Sequence, residues 1–166
     1  MNIPFNERRP AVDPEAWIAP NATLVGAATI AAGCGIWFGS VIRADEDDIS
    51  VGRDSNVQDN CVLHADPGFP VRIGERVSVG HGAIIHGCVI EDDVLIGMGA
   101  TLMNGVVVGA GSLIAAGALL TEGTVVPPDT LVAGVPAKIR RSITTQERTA
   151  IEKNAEDYAR RMLAYR

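Results

Sequence analysis

The chain has 166 residues, a formal net charge of −6 and a pI near 5.0, and aromatic residues make up only 4% of it. This length suits one domain with a buried core, and the acidic balance argues against a nucleic-acid partner, for which a basic patch is expected. No apolar run approaches the roughly eighteen residues of a membrane helix, and the opening segment, with Glu7, Arg8, Arg9 and several prolines, lacks the apolar stretch of a secretory signal.

Residues 1–17 read as a lead-in. From Ile18 onward, aliphatic residues recur at a six-residue step: Ile18, Leu24, Ile30, Ile36 and Ile42, then Val51, Val57 and Leu63. After a further break they run through Ile73, Val79 and Ile85, and from Ile90 to Val132. A small residue follows four positions after most of them, as at Ala22, Cys34, Ser40, Cys61, Ala83 and Ala100. An amphipathic helix would repeat every three or four residues. Unbroken period-two alternation is interrupted by turns. Short strands separated by regular turns fit, and a β-sandwich has no reason to keep one step over so many repeats. This self-similarity marks an all-β solenoid of the hexapeptide β-helix class over residues 18–135. Three six-residue sides close one triangular coil, and coils stack as parallel strands about 4.8 Å apart. The narrow interior admits one aliphatic and one small residue per side, which accounts for the scarcity of aromatics. Abundant Gly suits the tight corners.

Residues 136–166 read as a C-terminal linker and α-helix. Gly134-Val135-Pro136 breaks the β pattern, and Thr144 with Glu147 has the spacing of a capping box. Ile151, Ala155, Tyr158, Ala159, Met162 and Leu163 then recur at helical spacing. This apolar stripe should pack on the outside of the prism or on a neighbouring subunit. Of the three cysteines, Cys34 and Cys61 take the small interior slot and read as buried free thiols, whereas Cys88 falls near a corner. Unpaired thiols predict a reduced, cytoplasmic setting.

Two interruptions stretch the repeat: Asp45-Glu46-Asp47-Asp48 and Pro67-Gly68-Phe69-Pro70. Counting through them aligns Ile42, Leu63 and Ile85 as inward plugs of successive coils. The residues after them, Arg43, His64 and His86, then turn outward and stack, placing His64 and His86 one coil apart. The remaining histidine, His81, lies at the corner before the same side. Five extended residues span about 16 Å, and metal–imidazole bonds are about 2.0–2.1 Å, so His81 does not reach a metal held by His64 and His86 of its own chain. A neighbouring chain could supply it. The geometry predicts a homotrimer with metal sites shared between chains, each with three histidines and an open fourth position, as in catalytic zinc sites. Solvated or hydrogen-bonded histidines are the ordinary alternative.

Val41-Ile42-Arg43-Ala44-Asp45-Glu46, Asn56-Val57-Gln58-Asp59-Asn60, Leu63-His64-Ala65 and the segment from Gly80 to Cys88 together resemble the gamma-class carbonic anhydrases, as do Ile96-Gly97-Met98-Gly99-Ala100 and Gly134-Val135-Pro136-Ala137-Lys138. The resemblance spans almost the whole chain. It implies a left-handed parallel β-helix, a homotrimer and interfacial metal, with zinc usual and Fe2+ or Co2+ alternatives. It also implies that His64, His81 and His86 are the metal ligands, and that Arg43, Asp45 and Asp59 form ion pairs across the interface. Gln58 would orient the metal-bound water, Glu46 would move protons, and Tyr158 would be brought toward the site by the C-terminal helix. Plainer roles also fit: an ordinary ion network for Arg43, Asp45 and Asp59, a solvated acid for Glu46, backbone bonding for Gln58 and core packing for Tyr158. A divalent metal on three neutral imidazoles lowers the pKa of bound water toward about 7. That is the chemistry for hydrating carbon dioxide to bicarbonate. The segment after His64 is short and holds no Glu, unlike the longer acidic loop of well-characterised members, and the short-loop branch includes relatives with little or no hydratase activity. A hexapeptide acyltransferase or thioesterase acting on coenzyme A esters, and a non-catalytic assembly subunit, are the alternatives.

Overall fold

A computed structural model of the chain describes residues 1–165; Arg166, the last residue of the expected C-terminal segment, lies outside the described residues. The chain winds into a left-handed parallel β-helix of about seven turns with a single C-terminal helix. Its first face stacks Trp17–Ile18, Gly35–Ile36, Asn56–Val57, Ser78–Val79, Leu95–Ile96, Leu113–Ile114 and Thr130–Gly134. The second and third faces form one 12-stranded sheet, because Thr23–Ile30 and Val41–Val51 each continue around the corner between them.

The inward positions explain why the six-residue step is kept. Leu24, Ile42, Leu63, Ile85, Leu102 and Leu120 pair in consecutive register and are fully buried. Each plug covers the next, so the core is a column rather than a globule. The small slot carries buried polar groups as well. Ser40 Oγ donates to Gln58 O at 2.6 Å and accepts from Cys61 N–H at 3.2 Å, so neither backbone group is left bare. All three cysteines are free and buried, Cys88 included. Burial pushes the Cys34 and Cys61 thiols up to about 11 and the Cys88 thiol up to about 12.

The acidic interruption does not loop out. Residues 41–51 form one extended strand, in which Ala44 pairs with Gly26 and Ile49 with Ala28, so the extra residues are absorbed at the corner. Gly26 makes room for this. Its φ is +68°, and a Cβ there would sit 2.2 Å from Ala44 O. The second interruption is a tight turn in which Phe69 N–H donates to Asp66 O at 2.8 Å.

Strand pairing continues beyond the repeat at both ends of the prism. Within the lead-in, Asn2–Ile3 and Ala11–Val12 already pair in parallel with Thr23–Ile30. At the other end, Gly134-Val135-Pro136 reverses the chain, and Ala137–Ser142 returns antiparallel to Thr130–Gly134. An otherwise unpaired sheet edge gains a strand in each case. The helix Thr145–Met162 then begins at Thr144 with a complete capping box to Glu147. It packs over the strands Gly35–Ile36, Asn56–Val57 and Ser78–Val79 on the first face of its own prism. Ile151, Ala155, Tyr158 and Met162 are buried, and the Tyr158 ring meets Trp37 edge-on at 5.3 Å. Leu163, expected on the apolar stripe, is exposed, because it caps the helix where a short 3-10 turn takes over.

Two measurements follow from these contacts. Gly26→Ala should cost about 1–3 kcal/mol by forcing a strained backbone and a clash, read as a lower denaturant midpoint with unchanged slope. Glu147 is held down to about 2, first by Arg141 and then by the Thr144 amide. An acid with a depressed folded pKa contributes stability above its unfolded value of about 4.3 and loses it as pH falls toward the folded value. Glu147→Gln should therefore lower the melting temperature at neutral pH, with the difference vanishing as pH approaches 2.

Candidate metal centre

The site grows from one row of the second face. Arg43, His64 and His86 are cross-strand partners in sequence, each one residue beyond a buried plug, so the pleat turns all three outward. His64 Nδ1 and His86 Nε2 face each other at 2.9 Å.

The protons on these rings follow from what surrounds them. His86 Nδ1 lies 2.7 Å from Asn104 Oδ1, and Asn104 Nδ2 donates to Asp66 Oδ2 at 2.8 Å. A carboxylate only accepts, so the amide orientation is settled and its oxygen faces His86. His86 Nδ1 therefore carries the proton and Nε2 a lone pair. His64 Nε2 lies 3.3 Å from Asp45 Oδ1, and both atoms are buried with no well-formed hydrogen bond. A lone pair on Nε2 would oppose the carboxylate there, whereas an N–H is attracted to it. With its proton on Nδ1, His64 donates to His86 Nε2 across the 2.9 Å contact; with its proton on Nε2, it turns the Nδ1 lone pair to His86. Burial alone would raise the Asp45 carboxyl, but the Arg43 guanidinium at 2.7 Å, its own backbone amide and His64 outweigh this and hold it below the usual range. Asp45 is a carboxylate with one oxygen on Arg43 and the other toward His64.

Two imidazole nitrogens approaching to 2.9 Å need a positive charge between them, either a shared proton or a metal ion. A divalent metal supplies it, and imidazole nitrogen suits such ions. The donor set fits a metal on this ground.

Asp66 is brought to the same place. Its Oδ1 lies 3.9 Å from His64 Nδ1 and 3.8 Å from His86 Nε2. Among the described residues, His64, Asp66 and His86 form the group with ligand atoms all within 4.8 Å of one another. Sequence reasoning singled out neither Asp66 nor Asn104. Asn104 lies eighteen residues after His86, one full coil, and counting the repeat could have found it. Asp66 sits inside an interruption, where counting gives no position.

His81 is not part of this group. It lies at the corner, with its Nδ1 2.8 Å from Asp59 Oδ2 and its Nε2 3.2 Å from the Tyr158 hydroxyl. Asp59 Oδ1 also accepts from Phe38 N–H at 3.2 Å, which fixes the carboxylate. Tyr158 thus has two roles, packing its ring on Trp37 and bringing its hydroxyl to His81; burial pushes its phenol up. Gln58 is buried beside this corner and donates from Nε2 to Asn56 Oδ1 at 3.1 Å. Glu46 is exposed, and its backbone carbonyl accepts from Arg8 at 3.4 Å.

Comparison with known proteins places this geometry in a lineage. Residues 87–122 match the family described as bacterial transferase hexapeptide (six repeats), and residues 70–103 match the hexapeptide repeat of succinyl-transferase. A protein of Methanocaldococcus jannaschii named "Probable carbonic anhydrase" is 53% identical over 143 residues, covering 86% of this chain and 90% of that protein. The mitochondrial gamma carbonic anhydrase 2 of Arabidopsis thaliana is 41% identical over 158 residues and 92% of this chain, which spans 57% of the plant protein's length. A solved structure of a hexapeptide transferase family protein from Anaplasma phagocytophilum superposes with a TM-score of 0.97 at 38% identity, covering 100% of this chain and 98% of that one. The archaeal and the transferase-family relatives both match over nearly their whole length, and the archaeal one is the more similar in sequence, at 53% against 38% identity. The chain belongs to the gamma-class carbonic anhydrase family, whose members imply a metal cofactor.

Proposed function

We propose that the protein is a metal-dependent carbonic anhydrase of the gamma type, which reversibly hydrates carbon dioxide to bicarbonate at sites shared between the chains of a homotrimer. The observation that carries this reading is the pair of ring nitrogens, His64 Nδ1 and His86 Nε2, that face each other at 2.9 Å on an outer face. Two apolar side chains share that face with them. Val62 and Ile84 flank the two histidines on the same strands and are 42% and 43% exposed, surface that a neighbouring chain would cover. A neighbour's His81, presented from its corner, would then complete a three-imidazole set. Zinc is the expected metal, and Fe2+ and Co2+ accept the same donors. Such a metal, when bound, acidifies a water and so supplies a nucleophile near neutral pH.

The residues of this chain do the remainder. Asn104 takes the outer ring proton of His86 and the Asp45 carboxylate faces the outer nitrogen of His64, an arrangement that favours protons on the outer nitrogens when a metal is held by the inner ones. Asp59 does the same for His81 by taking its Nδ1–H and leaving Nε2 as the ligand atom, which the Tyr158 hydroxyl must release. The exposed acid Glu46 passes protons to solvent. Arg43 serves Asp45 first, and through it His64.

A second reading has its own observation. A cavity of about 470 Å³ lies beside His81, walled by Leu95, Leu113 and Leu131 and rimmed by Tyr158 and Asn154, whose buried Oδ1 has no partner among the described residues. An acyl chain suits such walls, which favours a thioesterase or acyltransferase acting on coenzyme A esters. Acetyl-coenzyme A binding that persists in metal-free protein would support that reading.

Protein purified without air should carry about one metal per chain, and stopped-flow assays should show carbon dioxide hydration that His81→Ala abolishes. Metal without hydration would move the function to the acyl-ester reading. Absence of metal would overturn both the site and the activity. Asn104→Ala should weaken metal affinity about 10–100-fold, measured by competition with a chromogenic chelator.

A further inference from the structure

Asp66 has a place in this site that the three-histidine set leaves unexplained. We propose that Asp66 is a metal ligand supplied by the same chain as His64 and His86, so that a single chain holds a divalent cation before any neighbour contributes His81. The proposal rests on the reading of His64 and His86 as ligands and extends it.

Three observations carry it. The first is position. Asp66 Oδ1 is nearly equidistant from the two ring nitrogens, at 3.9 and 3.8 Å. Ligand atoms around a tetrahedral zinc with bonds near 2.0–2.2 Å lie about 3.4 Å apart, so a small side-chain rotation closes the set. The second is orientation. Asp66 Oδ2 is held by Asn104 Nδ2, and the same amide takes the His86 Nδ1–H through its oxygen. One side chain therefore aims two donors from different coils at one point, as outer-sphere partners of metal ligands do. The third is rigidity. The turn that carries Asp66 is closed by Phe69 N–H on Asp66 O, and Gly68 N–H donates to Asp47 Oδ2 at 2.9 Å. Phe69 lies against the Gly87 corner, where a Cβ would come within 2.8 Å of its own Cβ. The short turn after His64 is thus a braced arm that presents a carboxylate.

Asp45, the other acid near His64, is not a competing ligand. It faces Nε2, the ring nitrogen turned away from His86, and is paired with Arg43. Two neutral imidazoles and one carboxylate make a donor set with open positions, the pattern that suits ferrous iron as well as zinc. Metal capture therefore precedes assembly, and the neighbour's His81 joins an ion that is already held.

The test is a Co2+ titration of metal-stripped, full-length protein, followed by visible absorption. His81 is an exposed corner residue, so His81→Ala should leave the prism intact; His81→Gln gives the same reading if the alanine variant does not fold. The His81 variant should still bind about one Co2+ per chain. Adding Asp66→Asn should weaken that binding at least about tenfold. Equal affinity in the single and double variants would overturn the proposal, as would loss of all binding in the His81 variant. If the parent chain binds no Co2+, the reading of His64 and His86 as ligands falls, and this proposal with it. If the parent chain binds Co2+ and the His81 variant does not, the reading of His64 and His86 stands and the proposal for Asp66 alone falls.

Discussion

Everything in this protein rests on the register between one coil and the next. Parallel strands at about 4.8 Å spacing put Ile42, Leu63 and Ile85 in contact through the core, and the same ladder puts Arg43, His64 and His86 in contact outside it. Packing and chemistry are two faces of one alignment. A residue gained or lost in a side would turn every following plug outward. The two interruptions avoid this by adding their length at corners, where Gly26 and the Asp66–Phe69 turn absorb it.

The electrostatics of the site follow the same logic of fixed neighbours. Each histidine has one ring nitrogen facing a side chain that orients it. His64 is held by Asp45, His86 by Asn104 and His81 by Asp59. Two carboxylates and one amide do this work, so each ring is oriented from its outer side. Asp45 stays ionised despite partial burial because Arg43 sits on its other oxygen.

Much of this was legible in the chain itself, for a physical reason. A prism with one plug per side tolerates no irregularity there, so the six-residue step survives as a plain signal and carries the alignment of His64 with His86. The separation of His81 from them followed from the same count. Asp66 escaped because it lies in an interruption, where folding is decided by Asp47, Asn104 and Gly87 rather than by the repeat. Asn104 obeyed the repeat but is not a residue type that announces metal. The returning strand Ala137–Ser142 escaped because Lys138, Arg140 and Arg141 are exposed, which leaves no alternation to read. The edge it covers is visible only in three dimensions. Leu163 was misplaced for a smaller reason: helical spacing ran one residue past the point where the helix ends.

The hydrogen bond from Gly68 to Asp47 joins the two interruptions, which belong to successive coils. They are therefore one module and not two independent insertions. Grafting a longer acidic loop after His64 from another family member would remove the amide that Asp47 holds and leave its carboxylate facing solvent. The same graft would draw Phe69 off the Gly87 corner and open a groove along that edge. Loop length in this lineage is then a property to be exchanged in pairs, with the residues after Asp45 and those after His64 moved together.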